Sequence, residues 1–316
     1  MKDMKRIGLG CMGMARRNEE NSIRTVDTAL DHGVTMFNTG EFYNAGESEM
    51  VLGNALRRHP RDSYFVSVKF GALPSRNGLY GADVNPFNVR AHLVYSLSRL
   101  GLDYVDLYEP ARMDKAYPVE DLIGAVADLV KEGLVRHVGM TETTAEELRR
   151  GHAVSPIKFF EKEYSLLSRQ MEEEDLPTCR ELGIPVVAYG LLGHGLLTDS
   201  FATGESTPNI LPFLFRPEDM DHNRAIVRQL KEIADGKGCS TANLAVAWVL
   251  QRNPEMFAII GTTHPDHLTE SLKALEINLT EEEMTLIGNL FAPGNVRGGV
   301  LPKTSYENGR FTRIIK

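Results

Sequence analysis

Lys69 ends the apolar run Phe65–Val68. A lysine in that place points into the open end of a buried strand unless its stem carries the ammonium out to water. A tyrosine brought beside it would have its phenol pKa lowered by the ammonium charge, which makes an acid usable near neutral pH. Tyr43 is the candidate, because it follows Asn38, the end of the preceding apolar stretch. A second reading stands beside this one, in which Lys69 pairs structurally with a carboxylate such as Glu41. The ends of the other apolar runs are polar too: Glu109, Ala111 and Arg112; Thr141 and Glu142; Glu161 and Glu163; Tyr189; and Gly261–Thr262–Thr263. The last of these precedes a helical stretch, and either binds phosphate through backbone N–H groups and hydroxyls or is a plain turn.

The elements that must position these residues recur along the chain as a unit: an amphipathic helical stretch, a glycine, then a short aliphatic run. Gly33, Gly101, Gly133 and Gly183 mark four such junctions, each suited to the left-handed residue that ends a helix. The spacing of Val89, Leu93, Leu97 and Leu100 predicts one helix face, as does that of Leu122, Val126 and Leu129, and of Ile226, Leu230 and Ile233. Thr280 with Glu283 reads as a capping box, and Leu279 with Met284 as the staple of a last helix. Strands are predicted near Ile7–Gly10, Thr35–Asn38, Tyr64–Lys69, Tyr104–Tyr108, His137–Met140, Phe159–Glu163, Val186–Tyr189 and Phe257–Gly261. Alternation of this kind predicts an α/β fold, a (β/α)8 barrel forming a single domain over residues 1–316, with an open doubly wound sheet as the alternative. Barrel chemistry is built at the C-terminal ends of strands, where the polar residues above fall. The surplus length is assigned to a long loop at about 199–221 and a polar, basic tail at about 295–316, either of which would lid a pocket.

Of 316 residues, 42% are hydrophobic and 25% charged, the balance of a folded protein with a large core. With 35 Lys and Arg against 43 Asp and Glu, no clustered basic surface exists for nucleic acid. Cys11, Cys179 and Cys239 are odd in number and far apart, which suggests neither zinc nor disulfides and a reducing, cytoplasmic setting. Met1–Arg6 leads into a Gly-rich segment, not an apolar signal core, and no apolar run is long enough to span a bilayer. No metal-ligand cluster is read at the strand ends.

At these residues the chain resembles the aldo-keto reductases, from Ile7 to about Leu290. The resemblance is carried by Ile7–Met14, Phe37–Tyr43, Val66–Gly71, Asp106–Asp114, Glu163–Arg169, Val187–Thr198, Leu244–Leu250 and Ile260–Leu268. It implies a (β/α)8 barrel that binds NADPH extended across its C-terminal face without a GxGxxG motif, and a small-molecule carbonyl substrate. It also implies a catalytic set of Asp, Tyr, Lys and His, of which Tyr43 and Lys69 are kept. Asn38 stands at the aspartate position and Ala111 at the histidine position. The loss of a carboxylate at 38 is expected to leave Lys69 less compensated and to depress the Tyr43 pKa further. Within the family the pattern is most similar to that of pyridoxal reductases, at Asn38–Tyr43, Ala111–Arg112, Glu142, Glu161, His194–Thr198 and Leu211–Phe215, which implies reduction of pyridoxal to pyridoxine.

Carried over residue by residue, the resemblance places Cys11 and Met12 at the nicotinamide ribose and Tyr189 against the nicotinamide ring. Glu161 is expected to accept from the carboxamide, with Thr141 and Glu142 beside it. Leu191, Leu192, Gly193, His194 and Gly195 should wrap the pyrophosphate, and Gly261, Thr262, Thr263, His267 and Glu270 should lie at the adenosine end. Glu41, Ala111 and Arg112 are expected to line the substrate pocket. His267 stands where the family often has Arg, so NADH is the alternative cofactor. Two other readings stay open: a cofactor-binding sensor with vestigial turnover, and a C=C reductase.

Overall fold

The computed structural model describes residues 4–75, 78–206, 214–298 and 303–315. In chain order its strands are β1 (Ile7–Gly10), β2 (Met36–Gly40), β3 (Phe65–Phe70), β4 (Ala72–Ser75), β5 (Gly78–Ala82), β6 (Val105–Pro110), β7 (Val135–Thr141), β8 (Ile157–Glu163), β9 (Val186–Tyr189), β10 (Phe257–Gly261), β11 (Lys303–Glu307) and β12 (Arg310–Ile315). Eight of them close into a parallel barrel in the order β1-β10-β9-β8-β7-β6-β3-β2. These are the eight strands expected, with ends displaced by at most two residues.

The helices that follow cover the barrel: α1 (Glu19–Asp31), α2 (Glu47–Leu56), α3 (Val89–Leu100), α4 (Val119–Lys131), α5 (Ala145–Val154) and α6 (Asp175–Leu182), then a short α7 (Asp199–Thr203), α8 (Met220–Gly236), α9 (Thr241–Arg252), α10 (Pro265–Leu272) and α11 (Glu281–Leu290). Their predicted faces are the buried ones, with Val89, Leu93 and Leu100 on α3 and Leu122, Val126 and Leu129 on α4. Gly101 stops α3 at φ 67°, a conformation only glycine adopts without strain. Thr280 and Glu283 form the expected capping box of α11.

Inside the barrel, the period-two alternation of strands sorts side chains into layers. Met36, Leu107, Phe159, Val187, Phe257 and Ile259 make a separate apolar plug, joined by Phe65, in which Phe159 meets Phe65 and Phe257 edge-on at 5.9 and 5.5 Å. Two residues further along the same strands come Asn38, Ser67, Glu109 and Glu161, all buried. The glycines of β1 and β7 make room for this layer: a Cβ at Gly10 would stand 2.8 Å from Ile259, and one at Gly139 2.8 Å from the Glu109 carboxyl.

Two expectations about the surplus length are corrected. The stretch 199–221 is not one loop: it begins with α7, ends in a 3-10 turn (Pro217–Asp219) leading into α8, and buries Leu214 and Phe215. Leu211–Phe213 of the stretch lie outside the described residues. The tail is not without period, because β11 and β12 pair as an antiparallel hairpin that joins β5 and β4 in a four-stranded sheet. Since β4 directly follows the C-terminal end of β3, this sheet stands at the mouth of the barrel.

Candidate active site

The Lys69 ammonium sits in the barrel interior, 5% exposed. It donates to the Glu161 carboxylate at 2.9 Å and to the Asn38 carbonyl at 2.5 Å. The Asn38 amide in turn donates to the other Glu161 oxygen at 2.5 Å. Burial alone would pull the Lys69 pKa down, but the Glu161 charge overrides it and holds the ammonium above its ordinary value. Two expectations therefore change. The partner of Lys69 is Glu161, not Glu41, and the ammonium is compensated even though position 38 carries no carboxylate. Glu161 has both oxygens engaged within the barrel, one by Lys69 and the other by Asn38.

Glu109, on β6 beside Lys69 of β3, is fully buried. One of its oxygens accepts from Ser67 at 2.8 Å. Burial first, and the neighbouring Glu161 charge second, push its pKa well above the usual carboxylate range, which favours its protonated form.

Tyr43 opens the 3-10 turn Tyr43–Gly46 that follows β2. Its ring lies edge-on to Phe42, 4.8 Å between centroids, and 5.5 Å from the Lys69 Nζ. The turn is strained, with Asn44 and Ala45 at φ 49° and 54°. Asn44 fixes it by donating to the Met12 and Met14 carbonyls, both at 2.8 Å, which ties the Tyr43 turn to the loop after β1. Burial raises the Tyr43 pKa more than Lys69 lowers it. The expected depression is thus reversed, chiefly by burial of the phenol, with the Glu161 charge adding to the rise.

Around this centre, Ala111 is buried and apolar, and the half-buried Arg112 donates to the Ala111 carbonyl at 2.6 Å. No ion pair joins Arg112 to an acidic group among the described residues. Burial lowers the Arg112 pKa, yet Tyr189, Glu142, Tyr306 and Tyr43 around it leave a net rise. Glu142 takes φ 54° and accepts from the Tyr189 hydroxyl at 2.8 Å, which fixes that ring at the end of β9. Glu41 lies off the Lys69 cluster, accepting from the Gly71 N–H at 2.6 Å and pairing with His92 at 2.9 Å.

The residues expected to hold a nicotinamide cofactor lie along one arc of the same mouth. Cys11 is buried, its thiol pKa pushed up to about 12 by burial, its N–H donating to the Asn38 carbonyl and its own carbonyl accepting from Met14 and Ser48, whereas Met12 is 65% exposed. Thr141 ends β7 and is buried. After β9 the chain coils tightly through Gly190, Gly193, His194 and Gly195, all at positive φ. Leu191 is buried and Leu192 partly so, and the His194 ring reaches Glu163 at 3.2 Å. Gly261 is open, with nothing within 4 Å of the point where a Cβ would stand, and the first amides of α10 have no side-chain cap. A diphosphate or phosphate fits this set of N–H and hydroxyl donors, with Thr262, Thr263 and His267 at hand. Glu270 is held by Asn243 at 3.0 Å and Lys273 at 2.6 Å.

Reading the residues alone missed Asn44, His92, Asp114 and Tyr306. Asp114 is buried and accepts from the N–H groups of Ala116, Asn308 and Gly309 at 2.8, 3.0 and 2.6 Å, which clamps the tail hairpin to the strand end that carries Arg112. Its place four residues after Pro110 was legible, but its partners lie almost two hundred positions away. Among the described residues no group of His, Cys, Asp and Glu is arranged to hold a metal ion, and no helix is long and apolar enough to cross a membrane.

A closed parallel barrel with a Tyr and Lys pair at its C-terminal mouth defines a barrel oxidoreductase, and comparison with known proteins agrees. Residues 6–291 match the Aldo/keto reductase family. The chain is 33% identical to a probable aldo-keto reductase of Glycine max over 97% of its own length and 90% of that protein's. Among solved structures it resembles a glycerol dehydrogenase from Gluconobacter oxydans (TM-score 0.81, 25% identity, 92% of each chain). It also resembles an aldo-keto reductase from Klebsiella pneumoniae in complex with NADPH (TM-score 0.73, 25% identity, 94% of this chain and 95% of that one). The chain belongs to the aldo/keto reductase family.

Proposed function

We propose that this protein is an NADPH-dependent reductase of aldehydes, with pyridoxal as the leading substrate and Tyr43 as the proton donor. The observation that carries the reading is the Tyr43 phenol beside a buried ammonium whose charge is already balanced by Glu161. The cofactor, when bound, supplies the hydride. Tyr43 faces the developing alkoxide and gives it a proton, or stabilises it by a hydrogen bond. Lys69 keeps that phenol polarised, and Glu161 and Asn38 keep Lys69 in place. A phenol whose pKa is raised stays protonated throughout neutral pH, the state a donor needs for reduction.

The cofactor side is supported by the open Gly261 turn, the uncapped start of α10 and the glycine-rich coil after Tyr189. The NADPH-bound Klebsiella pneumoniae relative supports NADPH over NADH. Arg112 supports the substrate class. Its guanidinium is near Tyr43 and, although it feels the Glu142 charge, is in no direct ion pair among the described residues, so it can take an anionic oxygen beside the reacting carbonyl. Pyridoxal carries such a group, an acidic ring hydroxyl next to its aldehyde.

Steady-state NADPH consumption with pyridoxal and a panel of neutral aldehydes, for the parent and for Tyr43→Phe, tests the reading. Turnover of pyridoxal should fall by about 10²–10⁴-fold in the variant. NADPH binding without turnover of any carbonyl would reject it in favour of a sensor. Turnover confined to activated C=C substrates would reject it in favour of a C=C reductase, for which a donor at position 111 is dispensable.

A further inference from the structure

Lys69 has a more elaborate counter-charge than a single ion pair. Its carboxylate partner, Glu161, comes from β8, across the barrel from β3. Between ammonium and carboxylate stands the Asn38 carboxamide, with its oxygen toward Lys69 and its nitrogen toward Glu161. On the intervening strands, Glu109 reaches into the same layer from β6, and on β7 Gly139 leaves the space that its carboxyl occupies. One Glu109 oxygen is bound by Ser67; the other is buried with no hydrogen-bond donor of its own. A bare carboxylate there would be costly, whereas a carboxylic acid turns that oxygen into a donor, for which Glu161 is the neighbouring acceptor.

We propose that Glu161 and Glu109 form one buried two-carboxyl unit that presents Lys69 with a single negative charge, Glu109 keeping the proton, and that through Lys69 this unit sets the protonation state of Tyr43. Glu161 and Glu109 are positioning residues, since they act through Lys69. The unit depends on how many charges surround the ammonium and less on which strand bears them. The mirrored arrangement, a carboxylate at 38 and a carboxamide at 161, keeps one negative charge and both acceptors of Lys69, with the hydrogen bond between 38 and 161 reversed in direction.

The test reads Tyr43 directly, as the phenolate absorbance lost on adding Tyr43→Phe to each chain during alkaline titration. Because no substrate is involved, its failure is distinct from failure of the reductase reading, on which only the kinetic corollary rests. In Glu161→Gln the uncompensated ammonium should shift the phenolate midpoint to lower pH, raising the phenolate fraction several-fold at a fixed alkaline pH. Glu109→Gln, which imitates the protonated acid, should leave the midpoint where it is. Asn38→Asp with Glu161→Gln should bring it back to the parent's, and the alkaline limb of turnover should follow in all three. An unmoved midpoint in Glu161→Gln, an equal shift in Glu109→Gln, or a double variant no nearer the parent than Glu161→Gln would each overturn the proposal. If Glu161→Gln does not fold alone, the double variant decides, parental titration supporting the unit and a displaced midpoint refuting it.

Discussion

An ammonium taken out of water needs a carboxylate within reach, and at Lys69 four were in play along the sequence: Glu41, Glu109, Glu161 and Glu163. Spacing singled out Lys69 and Tyr43 because both end apolar runs, but it has no means of ranking carboxylates on different strands. Glu161 is 92 positions from Lys69, and only closure of the barrel brings it there. The sign of the Tyr43 shift was hidden for a related reason, since it is set first by how deeply the folded barrel buries the phenol and only then by the charges around it. Arg112 was legible as a pocket residue, and its role predicts a specific loss. In Arg112→Leu, KM for pyridoxal should rise by about 10–100-fold, the worth of one hydrogen bond to a charged group, while KM for a neutral benzaldehyde stays unchanged. An equal rise for both aldehydes would show that Arg112 only shapes the mouth.

Among the elements, the barrel strands were readable because each is a short apolar run covered on both faces and followed by a helix that a glycine ends. The two hairpins at the mouth were not read, although one signal lay in plain view. Asn308–Gly309 turns β11 into β12 with both residues at positive φ, the pairing that two-residue hairpin turns require. Composition masked it, because the tail's basic residues read as solvated chain. One contact between elements should show in stability. His92 of α3 lies between Glu41, after β2, and Asp83, after β5, at 2.9 and 3.4 Å, with Phe70 as its ring neighbour at 6.1 Å. Burial lowers its pKa, but the two carboxylates win and the net shift is upward. A raised folded value means that the contribution is complete below about 6.5, the ordinary imidazole value, and is lost as pH rises through the folded one. The melting temperature should therefore fall as pH rises above about 6.5, and His92→Gln should flatten that decline. An unchanged slope in the variant would show that His92 plays no part in it.

On the scale of the whole molecule, a barrel that builds its chemistry at one mouth gains a wall there from its own C-terminus. Tyr306 is buried, its carbonyl accepts from Lys115 at 3.0 Å, and β12 pairs with β5 through Arg310 and Gly81. Asp114 holds the assembly through three backbone N–H groups, and charge-assisted bonds of this kind contribute about 1.5–3 kcal/mol each. Asp114→Ala should accordingly lose hydrogen-exchange protection across 303–315 while the barrel strands keep theirs. It should raise KM for the aldehyde several-fold with little change in NADPH affinity, because the hairpin borders the Arg112 side of the mouth. Full protection of the hairpin in that variant would mean that strand pairing alone holds it.

Catalysis as proposed turns on Tyr43 giving its proton while Lys69 stays balanced, and the pH dependence of pyridoxal reduction at saturating NADPH tests this most directly. For the parent chain the rate should be level through neutrality and fall only on the alkaline side, beyond the ordinary phenol value of about 10, as Tyr43 loses its proton. In Tyr43→Phe the small remaining rate should lack that limb. Parental rates in the variant, or the same alkaline limb without the phenol, would contradict the assignment of Tyr43 as the donor.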